Sequence, residues 1–171
     1  MRKIIREKMK RELAVLFTTI LILFIQITVW PMTFFAKSGI VLPLVYIITL
    51  SMVFPLKTSL FNAFIVGAVQ DNLSGGMFVF HLLTTLVLSY IIIQIREKTF
   101  RDNVYLSIFL TAAFLVAYNV IYIVWSLLAG YVVYSWINIL TDMLVGVLAS
   151  SIVAYPLHIL CKKLYQQTDF S

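Results

Sequence analysis

Two aspartates are the first candidates for chemistry, because Asp71 and Asp142 interrupt long apolar stretches. A carboxylate in the middle of a bilayer costs about 3 kcal/mol unless it is paired or faces water, so it is a functional hypothesis by default. Asp71 follows a short apolar stretch and precedes Ser74, Gly75 and Gly76. Its carboxylate either contacts a partner or ion, or accepts hydrogen bonds from the N-terminus of the next helix. We favour the cap.

Asp142 is six residues past Trp136, which puts it about 9 Å into a predicted helix by helical rise. The Asp142 carboxylate would bind Asn138 one turn earlier, bind Asn119 or Tyr122 on the preceding helix, or be neutralised by a proton. Polar contact within a helix bundle and contact with a ligand are equally supported at this position.

The remaining reactive side chains are isolated. His81 and His158 are predicted on opposite sides of the membrane, so we expect core histidines and no metal site. The single Cys161 excludes an internal disulfide, and we favour an inert thiol over reversible acylation. No nucleotide-binding, zinc-hydrolase, serine-hydrolase or CxxC motif is present. The sequence therefore predicts neither an enzyme nor a cofactor.

Composition assigns the chain to the membrane. Of its 171 residues, 62% are hydrophobic and only 12% are charged, which leaves too little polar surface for a soluble domain. We therefore predict one membrane domain over residues 1–171. The net charge of +6 does not indicate nucleic acid, because six of the thirteen basic residues fall in the first eleven positions. Basic residues before an apolar span are an orientation signal and contact anionic lipid.

Helices must position these residues, and we predict an all-α integral membrane protein with six transmembrane helices. After a basic cytoplasmic N-terminus at 1–12, the spans are 13–35, 39–56, 58–71, 77–95, 104–128 and 136–160. With six crossings, twelve basic residues face the cytoplasm and only Lys37 faces outward; if 58–71 does not cross, the split is seven to six. The positive-inside rule therefore predicts six crossings with both ends in the cytoplasm.

Loops and small residues indicate how these helices pack. Short loops predict that helices adjacent in sequence are antiparallel neighbours. Gly146 and Ser150 form a small-xxx-small face, for which we favour packing within the bundle over a partner interface. Pro156 is expected to kink the last helix, and the chain is expected to fray from Tyr165 onward. Residues 96–102 are predicted to form a mixed-charge cytoplasmic loop, which either orients the chain or docks a partner.

Residues 67–83 resemble the rod-shape-determining protein MreD family. That family has a pattern close to G-x-x-x-D-L-x-S-G-x-P-x-G-x-x-x-L at the same central position. Gly67, Asp71, Ser74, Gly75 and Leu83 match it, whereas Asn72, Met77 and Val79 replace the leucine, proline and second glycine. The chain's length, basic N-terminus, six predicted spans and final proline-containing helix are also similar to the family.

The resemblance implies a non-enzymatic scaffold of the bacterial cell-elongation machinery in the cytoplasmic (inner) membrane. Its partners would be MreC and the lipid bilayer, and it would work with MreB, RodA and a class B penicillin-binding protein in peptidoglycan synthesis. By that analogy Gly67–Gly76 is a candidate recognition segment.

An alternative is the substrate-binding component of an energy-coupling-factor vitamin transporter. The predicted loop after the first helix, 36–38, is too short for a lid, and the first span lacks an alanine-rich face. Both features count against it. Asp71, His81, Asn138 and Asp142 would nonetheless line a ligand pocket in the outer half of such a protein.

Overall fold

The computed structural model describes residues 2–29, 41–73, 79–98, 104–128, 130 and 136–166, and these form an all-α bundle. The helices are α1 (Arg2–Phe24), which continues as a π-helical stretch (Ile25–Val29), α2 (Leu42–Val53), α3 (Leu56–Leu73), α4 (Phe80–Lys98), α5 (Val104–Leu128) and α6 (Trp136–Gln166). Helices are the expected solution in lipid, because they satisfy the backbone hydrogen bonds within each segment.

Four of the described helices are long and apolar enough to cross a membrane. The qualifying segments are Met9–Thr28, Phe80–Glu97, Val104–Trp125 and Leu140–Gln166. α2 is apolar but has only 12 residues, about 18 Å by helical rise. The chain thus has the architecture of an all-α, multi-pass membrane protein.

α2 forms the centre of the bundle. It contacts all five other helices, and every one of its residues except Leu42 is buried. α4 and α5, although adjacent in sequence, touch each other little, whereas α2 packs extensively against α6. The prediction that helices adjacent in sequence pack side by side is therefore wrong for α4 and α5. Both helices instead pack against the buried central helix α2.

The helix bounds correct several predicted spans. The basic N-terminus is helical from Arg2 and continuous with the first apolar segment. The predicted span 39–56 is divided: α2 ends at Val53, Phe54 is extended with ψ 156°, and α3 begins after Pro55. Proline disfavours the helical conformation in the residue before it, which explains the break. Residues 30–40, assigned to the first two spans and their loop, lie outside the described part.

The last helix is longer than predicted. α6 continues six residues past the expected end at 160 and includes Tyr165 and Gln166, so the prediction of fraying from Tyr165 is wrong for these two. The Tyr165 ring meets Phe54 edge-on at 5.6 Å, and Arg11 lies over the same ring at 5.4 Å. Edge-to-face and cation–π contacts of this kind hold the end of α6 against α1 and the α2–α3 connection.

Arg96 closes the carboxyl end of α2. It lies within α4 and is 6% exposed, and its Nη1 donates to Phe54 O at 2.6 Å and Ser51 O at 3.2 Å. Ser51 is in the last turn of α2 and Phe54 is the residue that follows the helix, where carbonyl groups lack further helical donors. The prediction of a loop from residue 96 is therefore wrong for 96–98, because Arg96 is a buried helix cap. Residues 99–103 lie outside the described part.

Candidate functional site

Gly67 allows α3 and α4 to pack in close contact. A Cβ atom built on Gly67 would lie 2.5 Å from Leu82 Cα and 2.5 Å from Thr85 Oγ1. The Thr85 hydroxyl also donates across the same junction to Ala63 O at 3.1 Å. Glycine at a helix contact is the residue that lets two backbones approach this closely.

Asp71, one turn after Gly67, caps the N-terminus of α4. Its Oδ1 accepts the His81 N–H at 2.8 Å, and its Oδ2 accepts the Leu82 N–H at 3.0 Å. The first N–H groups of a helix have no partner within it, and a negative charge there is favourable. The predicted cap is confirmed. Ser74, Gly75 and Gly76, which complete the predicted motif, lie outside the described residues.

Four basic residues lie on one side of the bundle, which we refer to as the basic end: Arg11, Lys57, Arg96 and Lys162. Arg96 Nη1 donates to Phe54 O, and Arg11 and Phe54 both contact the Tyr165 ring near the end of α6. Lys57 is in the first turn of α3, and Lys162 is four residues before the end of α6. Asp71 is 14 residues from Lys57 along α3, about 21 Å by helical rise, so the α3–α4 junction lies at the opposite end of α3 from the basic end.

A groove of about 390 Å³ lies beside this junction. The described residues that line it are Gln26, Ile27, Val41, Gln70, Leu73, His81 and Tyr118. They come from the π-helical end of α1, the start of α2, the end of α3, the start of α4 and the middle of α5. A π-helical turn is a rare element that is frequent at functional sites.

Two hydrogen bonds and one buried oxygen without a partner belong to the residues that line the groove. Gln26 Oε1 accepts the Leu42 N–H at 3.2 Å, which joins α1 to the start of α2. The Tyr118 hydroxyl and His81 Nδ1 are 2.7 Å apart in a hydrogen bond, and their rings are stacked. Gln70 Oε1 is buried and has no hydrogen-bond partner in the described structure.

The predicted intramembrane polar residues do not join this groove. Asn119 Nδ2 donates to Leu115 O within α5 at 2.9 Å, and Asp142 is exposed on α6. The Asn138 side chain lies outside the described part. Of the four residues predicted to line a pocket, His81 lines the groove and Asp71 binds the backbone beside it.

Asp142 lies near the start of the apolar segment Leu140–Gln166 of α6, and its side chain is exposed on the bundle. Its depth of about 9 Å in the bilayer, from helical rise, stays a prediction.

The inner face of α6 is made of small residues and a histidine. Gly146, Ser150, Ala154 and His158 are all buried and follow one another at four-residue spacing. This spacing directs them to one face of the helix, toward the bundle. Pro156 is exposed within α6, which is helical on both sides of it.

A buried polar network near the basic end was not predicted from the sequence. Thr19 Oγ1 donates to Asn62 Oδ1 at 2.6 Å, Asn62 Nδ2 donates to Thr58 O, and the Thr58 hydroxyl donates to Glu12 Oε1 at 2.8 Å. The Tyr46 hydroxyl donates to Val15 O. The only sign of this network in the sequence is that each of these apolar segments contains a polar residue. This network ties α1 and α3 together beside α2.

The described residues contain no group of three or more His, Cys, Asp or Glu side chains that would hold a metal ion. No family model, curated protein or solved structure matches the chain. The arrangement is therefore a groove beside a glycine–aspartate helix junction in a multi-pass membrane protein, and its described lining residues include no Lys, Arg, Asp or Glu.

Proposed function

We propose that the chain is a non-enzymatic scaffold of the bacterial cell-elongation machinery, with six membrane crossings and both ends in the cytoplasm. It would bind MreC in the cytoplasmic membrane and support peptidoglycan synthesis with MreB, RodA and a class B penicillin-binding protein. The basic end would face the cytoplasm, as the positive-inside rule requires.

The observation that carries this proposal is the joint role of Gly67 and Asp71. These two positions of the MreD-like pattern are one helical turn apart, and both act on the first turns of α4. A pattern that fixes one helix junction gives the described part of the segment, from Gly67 to Leu73, a defined position in the bundle. A partner protein that binds this segment would then contact a surface whose position in the bundle does not vary.

Purification of the tagged protein from its native membrane, followed by mass spectrometry, tests the scaffold role. We expect MreC-like and cell-wall synthesis proteins to be recovered with it. A control purification with an unrelated six-span membrane protein carrying the same tag defines the background. Recovery of none of these proteins above that background would contradict the scaffold proposal.

The six-crossing topology predicts a specific labelling pattern. In a Cys161→Ala background, an impermeant maleimide added to intact cells should label Lys37→Cys and Val133→Cys. Lys57→Cys and Thr99→Cys should label only after the membrane is opened. These sites test whether α2 and α3 both cross, because loss of one crossing exchanges the sides of every later loop. Reversed accessibility of 133 and 99 would exclude six crossings.

The groove favours a second candidate, the substrate-binding component of a vitamin transporter. Its volume of about 390 Å³ lies within the range of small-molecule sites. The same purification separates the two functions: an ATPase pair with a second membrane subunit would indicate transport, whereas MreC-like proteins would indicate the scaffold.

A further inference from the structure

We propose that the outward face of α1 binds one anionic phospholipid, whose phosphate lies between Arg6 and Lys10 and whose acyl chains lie along Leu13 and Phe17. The sequence predicts only that the basic N-terminus contacts anionic lipid, whereas the structure selects the side chains and gives the lipid a site. This site does not depend on the scaffold role. The inference rests on the register and exposure of α1 and on the contacts made by its opposite face.

The two cations continue a stripe of exposed apolar side chains on α1. The members of this stripe, which we call the outer stripe, follow one another at alternating spacings of four and three residues: Arg6, Lys10, Leu13, Phe17, Ile20 and Phe24. Such spacing places them on one face of a helix. The apolar members are each more than half exposed, and the two cations are exposed as well. Cations and lipid-facing side chains therefore share one face.

The other faces of α1 direct their charged residues to the bundle. Arg11, next to Lys10 in sequence, lies over the Tyr165 ring of α6 at 5.4 Å. Glu12 is directed to α3, where its carboxylate accepts the Thr58 hydroxyl at 2.8 Å. Arg11 and Glu12 thus contact other helices of the protein, whereas the outer stripe faces away from them.

The position of the outer stripe across the membrane selects a lipid. The apolar segment of α1 begins at Met9, so Arg6 and Lys10 lie on either side of its start, at the level of the lipid headgroups. They are one helical turn apart, about 6 Å by helical rise, which allows both to bind one phosphate. A soluble acidic protein would cover only the cations. A phospholipid has its charge and its acyl chains in the same order as the outer stripe.

Phosphatidylglycerol and phosphatidylcholine test the proposal, because both contain a phosphate and only phosphatidylglycerol has a net negative charge. The protein is released from nanodiscs that contain equal amounts of the two lipids with identical acyl chains, and the first bound lipid is identified by native mass spectrometry. Each cation near a lipid surface contributes about fivefold to the binding of an anionic lipid, so we expect phosphatidylglycerol to be preferred about 25-fold. Equal binding of the two lipids would overturn the proposal.

Two pairs of substitutions locate the site. Arg6→Gln with Lys10→Gln should remove the preference, and either one alone should lower it about fivefold, which provides a second test if the double variant does not insert. Lys57→Gln with Lys163→Gln removes the same charge from exposed positions of α3 and α6 and should keep the preference. Loss of the preference in the second pair, or its persistence in the first, would overturn the assignment to α1.

Soluble competitors distinguish a lipid from other anionic partners. Glycerol 3-phosphate carries the phosphate without acyl chains, and a polyglutamate peptide carries the charge of an acidic protein segment. Neither should displace phosphatidylglycerol at equimolar concentration, because acyl chains on Leu13 and Phe17 add apolar contact to the binding. Displacement by glycerol 3-phosphate would indicate a site for phosphate alone, and displacement by polyglutamate would indicate a protein-binding surface. Either result would overturn the assignment to a lipid.

Discussion

Replacing Gly67 with leucine is expected to prevent α3 and α4 from packing, and replacing it with alanine to destabilise the protein. A single Cβ would lie 2.5 Å from Leu82 Cα, and a backbone atom cannot move away by changing a rotamer. Overpacking of this kind costs up to about 3 kcal/mol in the free energy of unfolding for one methyl group. Thermal unfolding in detergent, followed by size-exclusion chromatography, measures the loss.

Ala113→Leu is the matched control for the glycine substitutions. Ala113 is exposed on α5, so leucine there adds apolar volume to a helix without meeting a neighbouring backbone. Its melting temperature should stay close to that of the wild type. If Gly67→Ala melts at the same temperature as Ala113→Leu, the close α3–α4 contact is not required for the fold.

Replacing Asp71 with alanine is expected to lower the free energy of unfolding by about 3 kcal/mol, because two N–H groups in the first turn of α4 lose their acceptors. Asp71→Asn keeps one acceptor oxygen, so we expect about half of that loss. Unfolding in mixed micelles with increasing SDS measures the three proteins on one scale.

Asp142 supplies the control for charge removal. Asp142→Ala and Asp142→Asn delete the same carboxylate from an exposed position of α6, so both should unfold like the wild type. Equal stability of Asp71→Ala and Asp142→Ala would show that the cap contributes nothing. In the purification experiment, Asp71→Asn should insert normally but recover less MreC-like protein, because one of the two bonds that hold the end of α3 to the start of α4 is weakened.

The sequence predicts the helical segments well because their length and apolarity are local properties. It also predicts the Asp71 cap, since a carboxylate at the end of one apolar segment and a few residues before the next has the N–H groups of the following helix as donors. The central burial of α2 is not predictable in this way. Leucine and valine are equally suited to lipid and to protein contacts, so hydropathy does not distinguish a lipid-facing helix from an enclosed one.

Arg96 and the groove were missed for a different reason. A basic residue at the end of an apolar segment is typical of an orientation signal, and nothing near Arg96 in sequence identifies Phe54 O as its acceptor. Gln26, Gln70, His81 and Tyr118 come from four separate helices. Only the packing of α2 against its neighbours brings them to one place, so no local pattern marks them.

The closure of α2 by Arg96 has a consequence for biogenesis. Arg96 is synthesised 42 residues after Phe54, so the carboxyl end of α2 lacks this donor while the ribosome is still producing α3 and α4. A 12-residue helix is also too short to leave the translocon for lipid alone. We therefore expect α2 to stay at the translocon until α4 emerges, and a photo-crosslinker placed in α2 to capture the translocon in nascent chains truncated before Arg96 but not in longer ones.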